Sequence, residues 1–222
     1  MGNFSAHGFL LAAEMLIALL IAMTAREYVR ARAASSLGDP TPRLWGRLRL
    51  DPRSWFDPFG SGLIPGLIAI LWAVLVLVVP AAYGKPAPID PSYLRRQPRD
   101  TVVVSLAGPL TTLLLTVVAG AGARLFPLGS DVGVALVVLA YTGASLTIFH
   151  LLPIPGLDGA RLVALMLGPQ VRDTYRNLDR YLPLFVLLIL FLGLTIRFLE
   201  VLAGAVCNAA LGASCDAVMR LG

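Results

Sequence analysis

The sequence predicts an all-α polytopic membrane protein of about five or six hydrophobic helices. Three observations carry this. The 222 residues are 57% hydrophobic and only 14% charged, where a soluble domain carries roughly a quarter charged residues. Several apolar runs approach or exceed the ~18–20 residues that cross a bilayer. Proline and glycine interrupt one of them at LPIPGLDG, inside what would be membrane, a pattern found where backbone is buried by protein or lines a cavity. The mean hydropathy of +0.79 agrees. The net charge of +5 reads as membrane topology, not nucleic-acid binding, because the arginines sit between the apolar runs. The chain is expected to form one integral membrane domain over residues 1–222.

The first span runs from about Phe9 to Arg30. Its flank MGNFSAHGFL lacks a basic start, so it reads as a retained helix rather than a signal. Glu14 near its beginning fits a snorkelling or interface residue. A polar loop from Ala31 to Gly60 follows, rich in Gly, Pro and Asp. Its RLWGRLRLDP portion alternates apolar and basic residues and predicts short β-like pieces in an irregular loop. Asp39, Asp51 and Asp57, each before a proline, are turn formers. An apolar run from about Gly62 to Tyr83 comes next, then the loop GKPAPIDPSYLRRQPRD. A span from about Thr101 to Phe126 carries AGP at Ala107 to Pro109, small residues that allow close helix approach. A span from about Val132 to Leu152 runs into the LPIPGLDG break, and a short helix follows from Asp158 to about Leu167. The last span is about Leu182 to Val206, followed by a tail. Cys207 and Cys215 fit neither a CxxC redox pair nor a zinc knuckle. They read as two ordinary thiols or as a tail disulfide outside the cytoplasm.

The cations bear on topology. Loop 26–60 carries Arg26, Arg30, Arg32, Arg43, Arg47, Arg49 and Arg53; loop 84–100 carries Lys85, Arg95, Arg96 and Arg99; segment 153–181 carries Arg161, Arg172, Arg176 and Arg180. Only Arg124 lies between the third and fourth apolar runs. If residues 60–100 make no net crossing, all three basic loops share one side, as the positive-inside rule favours. The 62–83 run is therefore expected to re-enter, or to be paired with a second short crossing. The basic loops would be cytoplasmic and the cysteine tail extracytoplasmic, in a bacterial plasma membrane.

Two arginines flank a glutamate at the end of the first span: Arg26-Glu27-Tyr28-Val29-Arg30. The spacing is that of H-E-x-x-H, in which two histidines on one helix face bind zinc and the glutamate serves as base. After it come LGDPTPRLWGRLRLDP, DPFG, AGPLTT and FHLLPIPGLDG. In this order, over about Leu19 to Leu167, the chain resembles the site-2 protease family of intramembrane metalloproteases, especially its small bacterial branch. The resemblance implies a family-like core over about 19–167 with an added C-terminal helix. It implies a zinc site made by the two helix histidines and the LDG aspartate, with the glutamate as general base.

Carried onto this chain, the resemblance makes Asp158 the aspartate ligand and Glu27 a vestigial base. Arg26 and Arg30 stand at the two histidine positions. Thr112 stands where AGPxxN has asparagine, His150 where FNLLP has asparagine, and Trp55 where a histidine often precedes DP. Arginine has five donors, no acceptor and a pKa above ~12, so it cannot ligate zinc. One carboxylate is left where a catalytic zinc site uses about three protein ligands. Two guanidiniums and two carboxylates sum to zero, as zinc with the same carboxylates would. Arg26 and Arg30 are thus expected either to pair with Asp158 and Glu27 or to snorkel as anchors at the helix end.

These readings predict a membrane-embedded pseudoprotease with no cofactor, acting as a scaffold, binding or regulatory protein. Its partners would be the lipid bilayer and a transmembrane segment of another protein or an active paralogue, not nucleic acid. An active zinc protease with the unorthodox ligands His150, Asp158 and Glu27 is the alternative. A structural subunit of a membrane complex is a further one. His150 and His7 are more simply hydrogen-bonded histidines than ligands.

Overall fold

The computed structural model describes residues 6–75, 79–85, 87–127, 129–167, 177–191 and 193–219. Its elements are α1 (Ala6–Ser36), α2 (Thr41–Leu44), α3 (Ile64–Leu75), α4 (Arg99–Ala123), α5 (Asp131–Leu151), α6 (Asp158–Met166), α7 (Leu182–Phe191), α8 (Gly193–Leu211) and α9 (Cys215–Met219). Three helices among the described residues, α1, α4 and α5, are long and apolar enough to cross a bilayer. The chain is an all-helical integral membrane protein, as its composition predicts. The last predicted span is covered by α7 and α8.

The innermost helix is α5. Small residues dominate its centre, Ala140-Tyr141-Thr142-Gly143-Ala144-Ser145, and all are buried. That lets α4 approach closely, since a Cβ on Gly143 would stand 2.6 Å from Thr116 Oγ1. Met15, Ala18, Ala22 and Met23 of α1 and Ile64, Ile68 and Trp72 of α3 belong to the same apolar core as Val137, Val138 and Leu146 of α5. Val186 of α7 and Ala203 of α8 join it. The outward faces stay apolar too, for example Phe9, Leu10, Ile17 and Leu20 on α1 and Leu110, Leu114 and Val118 on α4. Such a surface suits lipid rather than water.

Among the described residues, the 62–83 run does not form one of the helices of spanning length. A π-helical segment, Pro58–Leu63, leads into the 12 residues of α3, and residues 79–83 are not helical. The two ends of the run are bonded to each other. Tyr83 N–H donates to Gly60 O at 3.1 Å, Ser61 Oγ to Tyr83 O at 2.7 Å, and Lys85 N–H to Trp55 O at 2.7 Å. The strand-like return fits only because Gly60 lacks a side chain: a Cβ there would meet the Tyr83 ring at 2.4 Å. The chain leaves this segment beside the point where it entered.

The predicted β-like pieces of RLWGRLRLDP are absent; no strand occurs among the described residues. Aspartates close this stretch into turns instead. Asp51 accepts from Arg53 N–H at 3.0 Å, and Asp57 from Phe59 and Gly60 N–H at 3.0 and 2.8 Å. Buried Asp39 accepts from Thr41 N–H and from Asp90 N–H, both at 2.9 Å, and so ties two loops together. An alternating pattern without a partner strand loses to local side-chain bonds to the backbone.

The far end of the bundle is also braced. Cys207 and Cys215 form a disulfide and are buried, so the reading as two free thiols does not hold. Arg124, the lone cation on its loop, donates to Leu211 O at 2.6 Å and Ala210 O at 2.7 Å. It caps the carbonyl end of α8, where a cation is favoured. His7 Nε2 lies 3.1 Å from Met219 O, the hydrogen-bonded role expected of it.

Candidate functional site

The site forms where the last turns of α1 meet the first turn of α6. Tyr28 and Val29 face outward while Arg26, Glu27 and Arg30 are buried, with 3%, 6% and 2% exposure. That follows from helical spacing, since positions four apart share a face. Asp158 is delivered by the broken helix. Leu152 ends α5, Leu157 N–H closes a turn on Ile154 O at 3.0 Å, and Gly156 takes φ +92° within it. A Cβ on Gly159 would lie 2.1 Å from Leu151 O, so the Asp-Gly step starts α6 directly against the end of α5. Asp158 is left 1% exposed.

The four charged groups interlock. Arg26 Nη1 donates to Glu27 Oε1 and Arg26 Nη2 to Asp158 Oδ2. Arg30 Nε stands 3.4 Å from Asp158 Oδ1, and Arg30 Nη1 stands 3.8 Å from Glu27 Oε2. Arg161, one turn along α6 and about one-third exposed, reaches Asp158 Oδ1 at 3.6 Å. Each carboxylate therefore faces both α1 guanidiniums. The pairing expectation holds and the anchor reading does not, because neither α1 arginine reaches water. The buried set is neutral, and Arg161 adds a cation at its rim. Hydrogen bonding is less complete than charge pairing: Arg26 Nε, Arg30 Nε and Nη2 and Glu27 Oε2 have no hydrogen-bond partner among the described residues.

The neighbours named by the sequence lie close but do not join the charge cluster. Thr112 is fully buried and bonds Pro109 O at 3.0 Å and Thr147 Oγ1 at 2.7 Å. His150 is buried on the last turn of α5 with Nδ1 2.9 Å from Leu146 O, and its ring meets Phe149 edge-on. Trp55 packs under the re-entrant return, beside Gly84.

Two participants escaped the sequence reading. Gly108 of the AGP step would place a Cβ 3.2 Å from Arg26 Cγ, Arg26 Nε and Asp158 Oδ2. Its lack of a side chain makes room for the Arg26–Asp158 contact. The signal is the AGP motif itself, which points to close helix packing and belongs to the family resemblance without assigning Gly108 a role. Arg161 was legible as the i+3 neighbour of Asp158 on a short helix.

Comparison with known proteins bears on the ancestry of this arrangement. The chain is 29% identical over 203 residues to "Putative zinc metalloprotease YwhC" of Bacillus subtilis, covering 86% of this chain and 85% of that protein. It is 30% identical over 180 residues to "Putative zinc metalloprotease Rip2" of Mycobacterium tuberculosis, covering 80% of this chain and 66% of that protein. The chain belongs to the site-2 protease family of intramembrane metalloproteases. No family model matches it, and no solved structure does.

Family membership implies zinc, and the donors at this site can be tested for it. A zinc ligand must offer a lone pair, and neither guanidinium has one to give. Both α1 positions that face Asp158 are guanidiniums. Among the described residues no three His, Cys, Asp or Glu side chains converge to hold a metal. The residues at the site-2 protease position do not fit a zinc ion. What they can do is hold two helices together by charge.

Proposed function

We propose that this protein is a non-proteolytic member of the site-2 protease family that works by binding. Arg26 and Arg30 take the structural place of the metal, linking α1 to α6 through Asp158, while Glu27 is kept as their counter-charge. The single observation that supports this is the pairing of both guanidiniums with Asp158 in a buried, charge-balanced cluster. No water would be brought toward a pKa near ~7, and Glu27 would have no activated nucleophile to serve. The retained scaffold would then hold a membrane segment of a partner or of an active paralogue. In this reading the basic loops face the cytoplasm. The disulfide of the tail lies on the opposite side, in keeping with an oxidising compartment.

Metal analysis and cleavage assays on the purified chain in lipid test this together. The expected result is no stoichiometric zinc and no cleavage of helical membrane substrates. Bound zinc with a proteolytic activity that Glu27→Gln abolishes would establish the active alternative. That alternative draws on the relatives' names as zinc metalloproteases, and it would need His150 Nε2, Asp158 and Glu27 to converge on a metal.

A further inference from the structure

A second surface, unused by the charged site, lies on the loop between α1 and α3. Leu44, Trp45 and Leu50 are 78%, 68% and 66% exposed, and Phe56 is 45% exposed. Single exposed apolar side chains are ordinary. Here three fall within seven residues and alternate with cations: Arg43, Arg49 and Arg53 are exposed too. Among the described residues these three make no ion pair. The loop is not loosely held. Trp45 N–H bonds Thr41 O at 3.0 Å, Arg47 N–H bonds Pro42 O at 2.8 Å, and the Arg47 guanidinium is tied to Ser54 O. Asp51, the loop's acid between Thr41 and Phe56, is engaged with Arg53 N–H. The apolar side chains thus stay outward on a fixed backbone.

Both ends of the loop run into membrane segments. On α1 the exposed apolar face extends to Val29. Ser36 ends the helix seven residues later, about 10 Å further along the axis. At the other end, exposed Leu63, Leu67 and Ile70 lie on and before α3. The loop is therefore pinned near the depth at which headgroups meet hydrocarbon, a zone that tryptophan favours. We propose that loop 41–56 is a docking surface for anionic phospholipid. Leu44, Trp45 and Leu50 seat at the acyl boundary, and Arg43, Arg49 and Arg53 meet lipid phosphates. Charge complementarity selects the lipid: the surface is apolar and basic, with its acid already bonded.

Trp45 is a built-in probe, because Trp55 and Trp72, the other two tryptophans, are buried. The full chain is reconstituted in phosphatidylglycerol bilayers and in phosphatidylcholine bilayers. Emission that disappears in Trp45→Phe is assigned to Trp45. It is then challenged with aqueous acrylamide, a neutral quencher that the anionic surface does not repel, and with lipids brominated near the headgroup end of the chain. In phosphatidylglycerol the Trp45 component should be quenched by bromolipid and protected from acrylamide. Protection should weaken in phosphatidylcholine, and also in the Arg43→Gln, Arg49→Gln, Arg53→Gln triple variant. Three arginines at an anionic surface shift partition by roughly a hundredfold. The lipid exchange needs no variant, so misfolding cannot mimic the result. Equal acrylamide quenching in both lipids would place the loop in water and overturn the proposal. Protection from both quenchers would overturn it as well, since it would mean that another protein or a second copy covers the loop.

Discussion

Replacing Asp158 with asparagine is the sharpest test of the charge cluster. The side chain is 1% exposed and contacts Arg26, Arg30 and Arg161. Asparagine keeps the shape and one acceptor but removes the charge that faces both buried guanidiniums. Glu27 alone would then oppose two cations that cannot deprotonate. Breaking one side of a buried pair typically costs ~3–5 kcal/mol, because the surviving charge stays desolvated. By that figure Asp158→Asn should lower the folded-to-unfolded ratio by at least about a hundredfold. The assay is unfolding of the purified chain in mixed detergent and denaturant, followed by helical circular dichroism. An apolar set, Arg26→Met, Glu27→Met, Arg30→Met and Asp158→Leu together, should recover most of the loss, since whole-network replacement by apolar groups is often neutral. A loss under ~1 kcal/mol for Asp158→Asn would match an exposed ion pair. It would refute the view that these guanidiniums are sealed from water.

Gly108→Ala should cost about 1–3 kcal/mol in the same assay, because its Cβ would crowd Arg26 and Asp158 at 3.2 Å and an overpacked site must shift. Gly159→Ala should be worse than Gly108→Ala, because the atom it meets at 2.1 Å is a backbone oxygen that cannot swing away. Cys207→Ser with Cys215→Ser should lose about 2–3 kcal/mol, the value expected for closing a short loop. The native chain should show no maleimide-reactive thiol until it is unfolded and reduced. Arg26→His with Arg30→His should gain zinc binding by metal analysis, because the two positions already face Asp158; a double variant that folds and binds no zinc would show that the geometry is no longer a ligand geometry.

Much of the site was legible in the sequence because charge in a membrane leaves few options. Two arginines at i and i+4 on an apolar helix must find carboxylates or water. Which carboxylates they meet came from the resemblance to the site-2 protease family, which sets Asp158 and Glu27 at the same site. The return of the chain to the point where the 62–83 run began was legible from the arginine distribution, although the length of the run alone pointed the other way. Hydropathy counts residues and cannot see that Gly60 and Gly84 let the chain fold back on Tyr83 and Trp55. The β reading of RLWGRLRLDP failed for a similar reason. Alternation records which side chains are apolar, whereas the backbone follows the Asp-Pro turns that satisfy it locally. Gly108 was visible only as a packing residue, because what it admits is a side chain from another helix.

A metal and a pair of guanidiniums solve one mechanical problem in different ways. Both join the end of α1 to the start of α6 across a break that no continuous backbone hydrogen bonding bridges. Zinc would do so with short directional bonds to deprotonated ligands and would leave a position open for water. Guanidiniums do so with longer contacts, here out to 3.8 Å, and they present only N–H groups to whatever approaches. The exchange keeps the net charge of the cluster and the joint between the helices, so the apolar core around them can stay unchanged. On the proposed reading, the exchange would remove the electron-pair acceptor on which metal-assisted hydrolysis depends. The proposed loss of chemistry would thus leave the two broken ends of the fold joined, as the contacts of Arg26 and Arg30 with Asp158 join them here. The unpartnered guanidinium nitrogens, Arg26 Nε and Arg30 Nη2 among them, record what the exchange leaves behind: more donors than two carboxylates can accept.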